Sequence, residues 1–173
     1  VTIAIGDRLP TGALKYLEND QQRWETTDNL FGGRRVVLFS CPGAFTTKST
    51  QRHVPSYLRA ADAFVQLGVD VILCISVNDP WVMEAWARHC GVDRPLRMLA
   101  DPHCEYHTAL GLQMDCTRFT LGWRSQRFSM LVNEGRVVLL NIEKPGEYEV
   151  SDAEVLLAQA RDLAYGHGIG GGE

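Results

Sequence analysis

The stretch SCPGAFTTKST, Ser40–Thr50, gathers hydroxyl, thiol and ammonium side chains between an apolar run and the polar start of a helix. Ser49 falls in the expected first turn of that helix, where free N–H groups and the helix dipole favour an anion. A thiol in such a place is lowered from about 8.5 toward about 3.5–7.5 and becomes a nucleophile near neutral pH. Thr46, three residues earlier, offers a hydroxyl to position an incoming oxygen, and a distant arginine could add fixed positive charge. The loop is suited to hold a thiolate, yet position 49 carries a hydroxyl, which neither a helix N-terminus nor a guanidinium ionises at neutral pH. Ser49 with His53 one turn on would suggest a hydrolase only with a GxSxG elbow and an acidic partner, and neither is identifiable.

The elements that must position this loop follow from hydrophobic pattern. The run VVLFS, Val36–Ser40, reads as a buried strand and VDVILCISV, Val69–Val77, as a second. Between them Ser49–Gly68 reads as a helix, with Pro55 predicting a kink or early break. Asn78 and Asp79 open a helix with Pro80 at its first position, ending at Gly91. LRMLA, Leu96–Ala100, is a third strand, and Asp101 caps a short helix to Gly111. RFSMLV and RVVLLNIE flank the turn NEG as a hairpin. Ser151–Ala164 is the last helix, with Ser151 and Glu154 as a capping box. The order implies an α/β layer fold with a parallel crossover and an added antiparallel hairpin. Ligands in such folds bind beyond the carboxyl ends of strands, where Ser40–Thr50 lies. One domain, 1–165, and a flexible tail, 166–173, are expected.

The 173 residues suffice for a packed core, and the net charge of −4 is too mild to capture nucleic acid or an anionic membrane. No basic stripe with interleaved aromatics supports nucleic-acid binding, and no apolar run reaches the ~18 residues of a membrane helix. The five cysteines, Cys41, Cys74, Cys90, Cys104 and Cys116, include no CxxC pair. They indicate a reducing compartment, cytoplasmic or, after removal of a presequence, organellar, and each is expected to be a buried inert residue.

PGAFTTKS resembles the peroxidatic loop of peroxiredoxins, whose pattern is Pro-x-x-x-Thr-x-x-Cys; Pro42 and Thr46 match it and Ser49 takes the cysteine position. GDRLP, STQRHVPSY, CISVNDPWVMEAW, LADP and RFSMLV resemble, in order, blocks of the type II, atypical two-cysteine subfamily, from about Ile5 to Leu163. The resemblance implies a thioredoxin-like fold, a central mixed sheet flanked by helices, and a cofactor-free, metal-free peroxidase for hydrogen peroxide and small alkyl hydroperoxides. It implies that Pro42 shields the pocket, Thr46 hydrogen-bonds the peroxide, and Arg127 polarises it. The Lys48 and Ser49 backbone N–H groups would face its oxygens. Cys74, 25 residues after position 49, matches the resolving cysteine of plant-like members. Thr47 stands where proline is common. The reductant would be thioredoxin, glutaredoxin or a small thiol, and the segments around Phe45, Trp81 and Thr120–Arg124 would form a homodimer contact.

Ser49 removes the nucleophile, so the chain as it stands should not reduce peroxide by the family mechanism. Two explanations compete: an introduced cysteine-to-serine change, or a natural non-catalytic binding or signalling module. Retention of Pro42, Thr46 and Arg127 favours the first. His103 and His107, at i, i+4 beside Cys104, have zinc-like spacing without a third ligand, and a surface helix carrying both is expected. GHGIGGG at the chain end follows a helix, not a strand, and is set aside as a dinucleotide fingerprint.

Overall fold

The computed structural model describes the backbone of residues 1–170 and side chains as far as Tyr165. The tail expected at 166–173 therefore lies outside the residues described in full. In chain order the elements are β1 (Ala13–Glu18), β2 (Gln21–Thr26), α1 (Thr27–Phe31), β3 (Arg35–Ser40) and α2 (Val54–Gln66). There follow β4 (Val71–Ser76), α3 (Pro80–Cys90), β5 (Leu96–Ala100), α4 (Glu105–Leu110), β6 (Gln113–Asp115) and β7 (Trp123–Ser125). The chain continues through β8 (Phe128–Asn133), β9 (Arg136–Ile142) and α5 (Ala153–Gly170). Seven strands form one sheet in the order β2-β1-β5-β4-β3-β8-β9, and β6 and β7 form a separate ribbon. The β3, β4 and β5 strands run parallel, while β8 is antiparallel to β3 and hairpins into β9.

The central strands β3 and β4 are apolar without alternation because both faces are covered. Val37, Phe39, Ile72 and Cys74 face one core with Tyr57, Phe64, Trp86 and Leu156 of the helices. Val36, Leu38, Leu73 and Ile75 face the other, with Leu14, Leu30 and Tyr106. The carboxyl end of buried β3, paired with β4, thus carries the Ser40–Thr50 loop.

The expected α/β order from Val36 onward is observed apart from the β6–β7 ribbon, which the sequence reading lacks, and Asp79 caps α3 by accepting from Val82 N–H at 2.8 Å. Gly91 closes that helix at φ 67°, the left-handed geometry glycine adopts freely. Three expectations need correction. Ser49–His53 is one π-helical turn before α2, and Pro55 sits in the first turn of α2, where its missing N–H costs nothing. Ser151 does not cap α5: its hydroxyl goes to Glu143 Oε2, and Asp152 Oδ1 accepts from Glu154 N–H at 2.8 Å instead. The α4 helix begins only at Glu105, because Asp101 reaches forward to accept from the Tyr106 and His107 N–H groups.

The β1–β2 hairpin goes unread in the sequence. Its turn residues Asn19 and Asp20, at φ 50° and 62°, supply the positive pair of angles that a two-residue hairpin loop needs.

Phe64, fully buried and stacked on Tyr57 at 6.1 Å between centroids, tests the helical core. Phe64→Ala should cost about 3–5 kcal/mol in a denaturant titration. Val65→Ala, half exposed on the same helix, should stay within about 0.5 kcal/mol.

Candidate active site

The loop after β3 turns back through Phe45, at φ 64°, and enters the π turn at Ser49. An extra residue per turn places both Ser49 and His53 inward, and both are fully buried. The first helical bond, Thr50 N–H to Thr46 O at 2.9 Å, leaves the N–H groups of Thr47, Lys48 and Ser49 without a helical acceptor.

Three of the singled-out side chains meet. Arg127, from the start of the β8 segment, donates through one amino group to Ser49 Oγ at 3.0 Å and through the other to His53 Nδ1 at 3.0 Å. Thr46 Oγ1 lies 2.7 Å from Ser49 Oγ and 2.7 Å from Gly43 O. Thr46 has one proton and the Gly43 carbonyl can only accept, so that proton goes to Gly43 and Ser49 donates to Thr46. A thiolate at this point, with no proton, would draw the Thr46 hydroxyl onto itself. Pro42 and Arg127, with Lys48, Glu143 and Gly146, line a small cleft of about 60 Å³. The Lys48 ammonium spans it to Gly146 O at 2.8 Å.

Arg127 is only 7% exposed, and among the described residues no carboxylate forms an ion pair with it. Its partners are a hydroxyl, an imidazole nitrogen and the Tyr148 ring, 5.7 Å from the guanidinium carbon. Taking a charge out of water without a counter-ion is expensive, so its field is available to an anion brought into the site.

His53 goes beyond what the sequence assigned it. Its Nε2 faces the Ser151 carbonyl at 3.0 Å and so carries the proton, while Nδ1 accepts from Arg127. Cys41 Sγ lies 3.4 Å from the same Nδ1. Burial pushes the Cys41 thiol up, but a donor contact from Cys74 and the proximity of His53 and Arg127 outweigh it and hold the thiol well below its ordinary 9.0. Cys74, one strand over and equally buried, is driven well above that value by burial and by Cys41. The structure sets Cys74 beside Cys41 and records no bond from it to Ser49. Cys41 is therefore no bland apolar residue; its one sequence signal was its place immediately before Pro42.

The segment 143–151 roofs the site. Glu143 accepts from the N–H groups of Glu149, Val150 and Ser151 and from the Ser151 hydroxyl, at 2.7–2.9 Å. Burial raises its carboxyl, and these bonds more than offset that and hold it below its ordinary 4.5. Ser151 O then receives both His53 and the Tyr57 hydroxyl.

Behind the loop, His107 is fully buried, not on a surface helix as the sequence spacing suggests. It joins Asp101 Oδ2 at 2.7 Å to Ser40 Oγ at 2.8 Å. The order Ser–His–Asp is that of a hydrolase, but Ser40 is sealed against Ile75 O and Ser125 and has no cleft to act in. His103 is exposed and apart from it. Trp86 is core, donating to Thr50 Oγ1 at 3.1 Å. Phe45, Trp81, Phe119 and Trp123 are about half exposed or more.

Parallel β3, β4 and β5 with antiparallel β8 and β9, flanked by helices, and a site at the end of β3, define a thioredoxin-like α/β fold. The Redoxin family model matches residues 4–157. The chain is 40% identical over 156 residues to peroxiredoxin-2B of Arabidopsis thaliana, covering 90% of this chain and 96% of that one. It is 37% identical over 168 residues to peroxiredoxin sll1621 of Synechocystis, with 88% of each covered. Reduced Prx3 of Vibrio vulnificus in complex with H2O2 superposes with a TM-score of 0.89 at 40% identity, covering 94% of this chain and 99% of that one. The chain belongs to the Redoxin family, among the peroxiredoxins, which are thiol peroxidases. Relatives named as chloroplastic and mitochondrial are among those it resembles. Among the described residues no helix is long and apolar enough to cross a membrane.

Glu143→Gln removes the carboxylate from its ring of donors. Because the folded carboxyl titrates below 4.5, its stabilisation is fully present above that pH and is lost as pH falls through the folded value. The variant should be less stable by about 1–3 kcal/mol at neutral pH, and denaturation at successively lower pH should show the gap closing.

Proposed function

We propose that the fold and pocket are those of a type II thiol peroxidase, carried by a domain at 1–165, with residue 49 at the peroxidatic position. The observation that carries this reading is the convergence of Thr46 at 2.7 Å and Arg127 at 3.0 Å on Ser49 Oγ, in a buried first turn. Arg127 and Thr46 would hold a hydroperoxide, the free N–H groups of Lys48 and Ser49 would meet its oxygens, and Pro42 would limit water. A cysteine thiolate there would attack the O–O bond, giving a sulfenic acid and water or an alcohol. Ser49 stops that step. Its hydroxyl spends its proton on Thr46 and faces no free base, since the His53 Nδ1 lone pair is already engaged by Arg127.

The reductant in the complete cycle is a separate thioredoxin, glutaredoxin or small thiol. Five free thiols fit a reducing compartment. The exposed side chains of Phe45, Trp81, Phe119 and Trp123 would contribute to the contact face of a homodimer. Whether Ser49 is introduced or native, the retained machinery points to the peroxidase frame.

Ser49→Cys should consume hydrogen peroxide in the presence of a thiol reductant, where the parent chain shows no turnover through residue 49. Adding Arg127→Lys to that variant should lower kcat about 10²-fold or more, as expected when an aligned donor is lost. An inert Ser49→Cys, correctly folded, would overturn the peroxidase reading in favour of a binding module. For the assembly, Trp81→Asp should shift sedimentation from dimer to monomer with the far-UV spectrum unchanged.

A further inference from the structure

Residue 49 is not the sole place where a sulfur could meet this field. Cys41 follows the last residue of β3, and its Sγ and the Arg127 guanidinium converge on one nitrogen of His53, at 3.4 and 3.0 Å. Phe39 pairs with Cys74 across β3 and β4, so Cys41, two residues on, shares the face of Cys74 and is its diagonal neighbour. The ladder has ended at Ser40; the Cys41 carbonyl is held by Ser76 and Ser125 hydroxyls, each at 3.3 Å. Cys41 is no more buried than Ser49 itself. The small cleft ends on Pro42, its chain neighbour, and on Arg127, the donor to its imidazole partner. Arg127 lacks a carboxylate counter-ion among the described residues.

We propose that Cys41 and Cys74 form a peroxide-driven dithiol–disulfide pair, with Cys41 the reactive sulfur that this chain uses in place of residue 49. The proposal rests on reading the pocket as a hydroperoxide site. The Cys41 sulfur attacks one peroxide oxygen and the O–O bond breaks; the departing oxygen takes the Cys41 thiol proton and leaves as water or alcohol, and Cys41 becomes a sulfenic acid. The Cys74 sulfur then attacks the sulfenic sulfur, the S–S bond forms, and hydroxide leaves as water with the Cys74 proton. Two equivalents of an external thiol reduce the bond and are themselves oxidised to a disulfide. Closing the bond brings the two Cα atoms within about 7 Å, which the end of β3 can reach because Cys41 lies outside the ladder.

Exposure alone predicts a different outcome. Cys90 is the most exposed of the five cysteines, and unselective oxidation should begin there. The test treats the unaltered chain with equimolar hydrogen peroxide, blocks remaining thiols and maps peptides by mass. The expected result is loss of two of the five thiols and a peptide joining Cys41 to Cys74, with Cys90 still blocked as a free thiol. In Cys74→Ser, dimedone should instead label Cys41, and in Cys41→Ser the oxidation should disappear. Oxidation led by Cys90, or five intact thiols with no 41–74 link, would overturn the proposal. Because these measurements use the chain with Ser49, they fail independently of Ser49→Cys: activity in that variant without the 41–74 link keeps the peroxidase reading and rejects this pair.

Discussion

A guanidinium sealed from water and, among the described residues, ion-paired to no carboxylate is the constraint around which the rest of the site is arranged. Arg127 gives one amino group to a hydroxyl, the other to an imidazole, and its face to a tyrosine ring. None of these neutralises it. Such a charge is tolerated only where the surrounding structure holds it in place. Here a hydrogen-bonded ladder does the holding: β8 pairs with β3 along its whole length, so the residue preceding β8 is fixed against the residue following β3. The charge and the loop it serves are registered by the same ladder.

Around that charge the choice of histidine tautomer is fixed from outside. Glu143 pins 149–151, and Ser151 offers its carbonyl to His53 Nε2. That acceptor keeps the His53 proton on Nε2 and turns the bare Nδ1 toward Arg127 and Cys41. Without the roof the ring could turn or take its other tautomer, and two N–H groups would then face each other across 3.0 Å. A loop beyond β9 thereby sets the polarity of the hydrogen bonds beneath it, which is the ordinary way an outer carboxylate acts on an imidazole.

The chain order of elements from Val36 onward, the β6–β7 ribbon apart, was legible because continuous β-branched runs, a Pro-started helix and an NEG hairpin each carry a local signal. The N-terminal hairpin was not read, since β2 is mostly exposed and has little apolar periodicity. Pro42, Thr46, Ser49 and Arg127 were singled out through spacing and resemblance, and the fold brings Thr46 and Arg127 onto Ser49 Oγ. Cys41, His53 and Glu143 were not, because their significance lies in contacts across separations of 12, 74 and 8 residues, respectively to His53, Arg127 and Ser151. His107 misled for the same reason: i, i+4 spacing implies a shared helix face only if the helix spans both positions, and Asp101 delays α4 to Glu105.

Oxygen at position 49 changes the sign of a hydrogen bond, and with it what the pocket can hold. A thiolate accepts from both Thr46 and Arg127, and the guanidinium then has an anion among its hydrogen-bond partners. Serine accepts from Arg127 but donates to Thr46, so the guanidinium has no anion among its hydrogen-bond partners. Electroneutrality in a low-dielectric site favours ionisation of the nearest acid that can reach the charge. The two cysteines near Arg127 divide on that point: Cys41, which shares the imidazole with the guanidinium, is lowered, and Cys74, buried and facing the charge on Cys41, is raised. With a hydroxyl in the first turn, the thiol lowered by this surrounding is the one at the end of β3, and the proposed role of Cys41 rests on that placement beside His53 and Arg127.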